Sequence, residues 1–300
     1  MNALMLELWK SFSGVAPVKA SKIMFYKTNH KVLDLKNPQW FDEKLQYLKL
    51  YKYSKDELAS ICADKYLVRN YVEKKGCKEL LNSLVFSCAF KTAEDIPWDK
   101  LPDQFVIKCT HGCKMNIICT DKSKLNKEDT IKKLNKWLKE KQWKEQAELH
   151  YRKITPQIIV EKYIDFDTTI QGKLPIDYKF YCFNGKPKLV LVCSNREDSV
   201  KYNYYDLNWN RLTDIVKPEM ISNEKNIKPE SFNKMVEYCK KLVDGERFPF
   251  ARIDFYESKG KPIFGEITLT PSGCNDDDYT VNGQKLLGSM LQISELINYI

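Results

Sequence analysis

A chain of 300 residues and 35.3 kDa with 43% hydrophobic and 30% charged residues can bury a full-sized core and build a cleft, in one large or two closely packed domains; disorder, internal repeats and low-complexity scaffolds are excluded. The formal charge of +9 is spread over lysines along the chain, which fits attraction to phosphates or other polyanions without selecting among nucleotide, nucleic acid and acidic polysaccharide. Ten cysteines with no secretory leader point to reduced thiols in a cytosolic setting, and the opening apolar run, interrupted by Glu7 and Lys10, is neither signal peptide nor membrane span.

Residues 1 to about 60 read as an irregular region with helices, one of which starts after Asn37-Pro38 and carries Phe41, Leu45, Leu48 and Tyr51 at helical spacing. From Lys55 to Lys75 the spacing of Leu58, Ile61, Cys62, Tyr66, Val68, Tyr71 and Val72 predicts a second helical stretch ending at Gly76. Lys65 and Arg69, four apart on it, form either a solvated face or a phosphate clamp, and spacing alone favours the solvated face. Phe105–Cys109 and Asn116–Cys119 read as strands joined by a polar tip around His111-Gly112. Lys108 is the last charge on an apolar strand, so burial of its neighbours calls for an anionic partner, and a phosphate is a natural one. Asn126 to about Gln146 is a lysine-rich helix with Ile131, Leu134, Trp137 and Leu138 as its buried stripe; lysine-covered surface helices are commonplace, so no nucleic-acid partner follows from it. Ile158–Ile164 is an apolar strand ending in charge, and the strands Asp177–Phe183 and Pro187–Val192 flank the hairpin turn Asn184-Gly185-Lys186, with Asp177 and Lys179 on one face. A helix from about Pro229 to Val243 leads into a last hairpin, Phe250–Phe255 and Ile263–Leu269, around Ser258-Lys259-Gly260-Lys261-Pro262.

That last hairpin carries the most chemistry. Residues two apart on a strand share a face, so Arg252 projects with Asp254 and Glu266 with Thr268, while Ile253, Phe255, Ile267 and Leu269 cover the other side. Two carboxylates and a guanidinium so placed suit the holding of hard divalent cations that in turn hold phosphate oxygens; a half-exposed hairpin with its charges in water fits the spacing equally well. Cys109, His111, Cys113 and Cys119 are zinc-ligand types, but the one-residue gaps suit a strand edge better than a zinc knuckle, and nothing marks a partner for a Cys–His nucleophile. Neither Walker A nor Gly-x-Gly-x-x-Gly is present, which excludes P-loop and Rossmann nucleotide binding.

Taken in order, Asn37–Leu45, Ala63–Arg69, Leu101–Ile118, Glu148–Tyr151, Ile159–Tyr163, Asp177–Phe183 and the two closing segments resemble the ATP-grasp enzymes, most closely the branch named for teichuronopeptide biosynthesis, from about residue 37 onward. The resemblance implies an α+β fold with an N-terminal helical region over 1–60 and two subdomains, 61–160 and 161–300, gripping ATP between them. It puts Lys65 and Lys108 on the ATP phosphates under the His111-Gly112 loop, Glu161-Lys162-Tyr163 at the adenine hinge, and Asp177 and Lys179 in the same cleft. Asp254 and Glu266 match ligands of Mg2+, or Mn2+ in its place, with Thr268 where many relatives carry Asn; Arg252 matches the arginine that steadies the transferred phosphoryl group, and Arg69, Ser272 and Gly273 fall on the substrate side. The family loop His-Gly-Ser-Gly reads His111-Gly112-Cys113-Lys114 here, which restricts the backbone that would fold over the phosphates.

The implied activity is an ATP-dependent carboxylate–amine ligation through an acyl phosphate. Its implied setting is a cell-surface polysaccharide precursor, with a uronic-acid-containing glycan and an amino acid or amino sugar as partners, in the cytoplasm or at the inner face of the membrane. A capsule or lipopolysaccharide glycosyltransferase using Asp276-x-Asp278, and a non-catalytic polyanion-binding protein, are the rival readings.

Overall fold

The computed structural model describes residues 3–166, 174–194, 201–245 and 247–297. Two helices, α1 (Ala3–Val15) and α2 (Pro17–Asn29), come first; Pro17 opens α2 with its preset φ, and His30 closes it at φ 50. In α3 (Phe41–Tyr47) the Glu43 carboxylate accepts from the N–H groups of Gln39 and Trp40, both at 2.9 Å, which fixes the helix start next to Pro38. The chain continues as a π-helical turn over Leu48–Tyr53. The stretch predicted as one helix from Lys55 to Lys75 is two, α4 (Glu57–Ala63) and α5 (Val68–Lys74). Asp64 breaks it: its backbone swings out to ψ 119 and its carboxylate accepts from Tyr66 N at 2.7 Å and Leu67 N at 3.1 Å, an Asx turn that competes with the helical ladder.

A three-stranded antiparallel sheet has β1 (Phe105–Cys109) between β2 (Asn116–Cys119) and β3 (Ile158–Lys162). It carries α6 (Lys127–Lys139), with Leu134 buried beneath; α6 stops where Glu140 turns to ψ 137, short of the Gln146 expected from the sequence. A larger antiparallel sheet comprises β4 (Asp177–Phe183), β5 (Lys186–Ser194), β6 (Lys201–Asp206), β7 (Arg211–Leu212), β8 (Phe250–Ser258) and β9 (Lys261–Thr268), in the order β7-β6-β5-β4-β8-β9. Both hairpin turns use left-handed pairs, Asn184 (φ 46) with Gly185 (φ 81) and Lys259 (φ 50) with Gly260 (φ 68), the arrangement that matches strand twist in two-residue hairpins. Two later helices, α7 (Phe232–Leu242) and α8 (Val281–Met290), complete this part of the fold.

Two apolar clusters form the core. Phe105, Ile107, Leu134, Ile158 and Val160 pack under the small sheet. Phe180, Phe250, Ile253 and Phe255 of the large sheet share the second cluster with Phe41, Leu45, Tyr53, Val68, Tyr71 and Leu80, so helices that precede the small sheet in sequence pack on the large one. Between Asp254 and Phe255 the β8–β9 register shifts: Asp254 faces Glu266 and Phe255 faces Phe264, leaving Gly265 as an extra residue in β9. Such a bulge bends the strand and re-aims its side chains; a Cβ at Gly265 would lie only 3.0 Å from the Asp254 carbonyl oxygen.

Candidate active site

The strand register places Lys179 opposite Asp254, Asp254 opposite Glu266, and Arg252 opposite Thr268. Burial of Ile253, Phe255, Ile267 and Leu269 on the far side forces these polar groups onto one face. Asp254 is 2% exposed and is clamped by two cations: Arg252 Nε donates to Oδ1 at 2.7 Å and Nη2 to Oδ2 at 2.7 Å, while Lys179 Nζ lies 2.5 Å from Oδ2. Lys179 also pairs with Asp177 at 3.1 Å. Arg252 Nη2 extends to Glu266 Oε1 at 3.3 Å and Thr268 Oγ1 at 3.1 Å, and Thr268 donates to Glu266 at 2.9 Å.

Electrostatics hold Glu266, Lys179 and Arg252 in their charged forms. Desolvation works against the Glu266 carboxylate, yet the charges of Lys65, Arg252 and Lys179 hold its pKa down to about 2. Burial likewise opposes the charge on Lys179 and Arg252, and the facing carboxylates, Asp254 first, raise both above their ordinary values. Lys65 reaches this field from the loop between α4 and α5, with its ammonium donating to Gly112 O at 2.5 Å.

A second cluster sits on the small sheet. Lys108 Nζ binds Glu161 Oε2 at 2.7 Å, and Arg69 Nη1 lies 3.9 Å from Glu161 Oε1 while its Nη2 donates to Asn82 O at 2.7 Å. In this structure the anionic partner of Lys108 is a carboxylate 53 residues further along the chain on the adjacent strand β3, and Lys65 and Arg69, bonded to Gly112 O and to Glu161 and Asn82 O, are not a solvated helix face. Beside this trio lies a cavity of about 120 Å³, walled by Val106, Ile118, Tyr163, Ile164 and Phe166 and closed by Tyr256 from β8 of the other sheet. Its apolar walls with a charged end at Lys108 and Glu161 are the composition of a small-molecule pocket.

The sequence pattern of the TupA-like ATP-grasp family matches residues 43–292. The chain belongs to the TupA-like ATP-grasp family. Among solved structures, D-alanine–D-alanine ligase from Bacillus anthracis complexed with ATP is 16% identical, with 78% of this chain and 65% of that one covered and a TM-score of 0.43. Phosphoribosylamine–glycine ligase from Thermotoga maritima is 14% identical over 74% of this chain and 52% of its own, with a TM-score of 0.41. The ATP-grasp ligase PsnB, complexed with a phosphomimetic variant of its minimal precursor, Mg and ADP, is 10% identical over 79% and 60% of the two chains, with a TM-score of 0.39. The chain thus spans 65% of the Bacillus anthracis ligase and less of the other two. No curated protein sequence matches it.

In this ATP-grasp chain the loop after β1 differs from the sequence expectation in one respect. His111 is buried and its Nε2 lies 3.1 Å from Trp137 O at the end of α6, so its ring anchors the helix rather than reaching the cleft; burial also lowers its pKa. Gly112 does sit at the cleft, where its carbonyl holds Lys65, and the neighbouring Cys113 N donates to Gln142 Oε1 at 2.9 Å. Lys114, standing where the family pattern has glycine, adopts φ 57. Desolvation raises the Cys113 thiol, the opposite of what a nucleophile needs. Among the described residues, the one group of three His, Cys, Asp or Glu side chains whose donor atoms converge is Asp276, Asp277 and Asp278, so Cys109, His111, Cys113 and Cys119 form no zinc cage.

Lys162 is an exposed side chain at the end of β3; its backbone carbonyl accepts from Asn82 Nδ2 at 2.8 Å, and Tyr163 beside it lines the cavity. Arg69, expected on the substrate side, lies against Glu161. Ser272 and Gly273 form a left-handed turn (φ 50 and 62) whose Ser272 Oγ donates to Asp276 Oδ2 at 2.9 Å.

Three residues that sequence reasoning missed hold this turn. Lys49, fully buried in the π-helical turn, donates to Gln146 O at 2.7 Å and Gly273 O at 3.0 Å. Gln146 packs against Gly273 so closely that a Cβ there would lie 2.6 Å from its side chain, and Thr270 Oγ1 donates to Glu148 Oε1 at 2.6 Å. Glu148 stood in a quoted segment without a role; a lysine at an apolar-periodic helix position was the available signal for Lys49.

Proposed function

We propose that this chain is an ATP-dependent carboxylate–amine ligase that works through an acyl phosphate, acting on the cytoplasmic side, with a uronic-acid carboxylate of a cell-surface glycan precursor and the amine of an amino acid or amino sugar as substrates. Family membership supports the reaction class, and the observation that carries the assignment to particular residues is the convergence of Asp254, Glu266, Arg252 and Lys179 on one face, within the field of Lys65.

Asp254, Glu266 and Thr268 offer hard oxygen donors that fit Mg2+ or Mn2+, and the cations already gathered on Asp254 mark the spot as one where positive charge is favoured. Such an ion, when bound, neutralises phosphate oxygens and the charge that develops on them. The chain's own groups do the rest. Tyr163 and Ile164 wall a cavity for the adenine, with Glu161 at its polar end. Lys108 and Lys65 donate to phosphate oxygens, Asp177 keeps Lys179 oriented, and Arg252 holds the phosphoryl group in line as a substrate carboxylate oxygen attacks the γ-phosphorus and ADP leaves. The amine then attacks the acyl carbon, phosphate departs, and the amine proton goes with it to solvent or phosphate. Ser272 and Gly273 approach the acyl substrate.

The test is ADP release in the presence of ATP, magnesium and pools of uronic acids, amino acids and amino sugars. Carboxylate-dependent ADP formation that disappears in Asp254→Asn supports the ligase. Hydrolysis of UDP-sugars without ATP consumption overturns it in favour of a transferase built on Asp276–Asp278, and silence in both with salt-sensitive polyanion binding overturns it in favour of a binding protein.

A further inference from the structure

One surface of the molecule is used by neither the cleft nor the core. One side of α1 packs against the described residues: Trp9 Nε1 donates to Glu145 O at 3.0 Å, Lys10 pairs with Glu145 at 3.1 Å, and Ser13 is buried. The opposite side presents Leu4 (70% exposed), Leu8 (63%), Phe12 (37%) and Val15 (87%). At 3.6 residues per turn these four fall within an arc of roughly 80°, a continuous apolar stripe along the helix. The neighbouring α2 exposes Ile23 and Tyr26 interleaved with Lys19, Lys22 and Lys27. Along the other border of α1, Glu7 and Lys10 line a groove of about 750 Å³ whose far wall is Lys132, Lys136, Lys139 and Lys141 of α6 and its following turn. In all, six lysines face two glutamates there. Both helices lie outside the family-matched residues 43–292, so they add the apolar part of this surface to the ATP-grasp core, which itself supplies the α6 lysines.

We propose that the α1–α2 pair is a peripheral docking surface for an anionic lipid bilayer, with the α1 stripe entering the acyl boundary and the lysines of α2 and of the α6 groove meeting lipid phosphates. Charge complementarity selects the occupant. A greasy protein partner would match the stripe but leave the lysines unpaired, and a soluble polyanion would match the lysines but leave the stripe in water. A bilayer carrying negative headgroups satisfies both at once, which is how amphipathic helices lie in a membrane interface.

The experiment is co-sedimentation of the full chain with phosphatidylglycerol–phosphatidylcholine vesicles and with pure phosphatidylcholine vesicles. The expected result is binding to the anionic vesicles that weakens on raising the salt, and weakens about tenfold or more in Leu4→Glu with Leu8→Glu and in Lys136→Glu with Lys139→Glu. Leu4, Leu8, Lys136 and Lys139 are all exposed, so the thermal midpoint of both double variants should match the parent and separates lost docking from lost folding. Equal binding to neutral vesicles, binding indifferent to the leucine pair, no vesicle binding alongside retention of soluble polyphosphate, or a dimer in solution that the leucine pair abolishes would each overturn the proposal.

Discussion

Asp254→Asn and Glu266→Gln each remove one carboxylate charge from the same cluster, yet the structure predicts that they differ in stability. Asp254 is 2% exposed and accepts three short contacts from Arg252 and Lys179. In the asparagine one oxygen becomes an amide donor facing another donor, and two buried cations lose their common anion. Breaking a buried charge pair from one side costs about 3–5 kcal/mol. Here Lys179 keeps Asp177, and Arg252 keeps Glu266 and Thr268, so a loss of roughly 2–4 kcal/mol is expected. For a chain of 300 residues that corresponds to a fall in thermal midpoint of about 3–6 °C. Glu266 has a side chain 40% exposed, so solvent screens much of the field of Lys65, Arg252 and Lys179 that lowers its pKa, and the glutamine oxygen can still accept from Thr268; its replacement is expected to cost less than that of Asp254, about 1 kcal/mol. Activity should not follow this order: if both carboxylates hold the ion, each variant loses carboxylate-dependent ADP formation by about a thousandfold or more. Calorimetry and a coupled ADP assay on the two purified variants decide it. A Glu266→Gln protein with full turnover would refute the metal-holding assignment, and an Asp254→Asn protein with an unchanged midpoint would refute the reading of the buried clamp.

Further outcomes follow from other sites. His150 is fully enclosed, neither ring nitrogen has a partner among the described residues, and burial, aided by Lys49, depresses its pKa to about 3 from 6.5. The unfolded chain therefore binds a proton that the folded chain refuses across that window, so His150 draws stability down as pH falls from 6.5 towards 3. In His150→Phe the acid-unfolding midpoint should move to lower pH, read by circular dichroism. Asp42, held up to about 7 by burial, gives the opposite slope from 3.8 upward, so parent and variant are compared at each pH. Lys114, at φ 57, carries a left-handed backbone that costs a non-glycine residue about 1 kcal/mol. Lys114→Gly should keep or raise the unfolding free energy, and Lys114→Val should lower it by roughly 1–2 kcal/mol, both read by chemical denaturation.

The hairpins were legible because two independent signals coincide in each: alternation along the strands and a turn dipeptide, Asn184-Gly185 or Lys259-Gly260, that tolerates left-handed φ. Alternation also placed Arg252 with Asp254 and Glu266 with Thr268, since burial of one strand face decides the other. Helix boundaries were harder. Apolar spacing ran through Asp64 and past Lys139, and what stopped the helices was a side chain competing for backbone N–H groups in the first case and the loss of apolar partners after Leu138 in the second. The Gly265 bulge, the burial of Lys49 and the turning of His111 into α6 depend on contacts between segments distant in sequence, and periodicity carries no record of those.

Lys49 has a practical corollary for dissecting the molecule. Because this ammonium, with the Gln46 amide bonded to Cys274 O, ties the Gly273 turn to a helix from the first sixth of the chain, any shortened version that starts at the first sheet would keep the carboxylates of the cleft but lose Lys65, Arg69 and the strut that sets the acceptor end. Phe41–Tyr53 thus has to travel with the catalytic half in any minimal unit, and complementation by adding that helix back as a separate peptide is the natural way to find the smallest piece that folds.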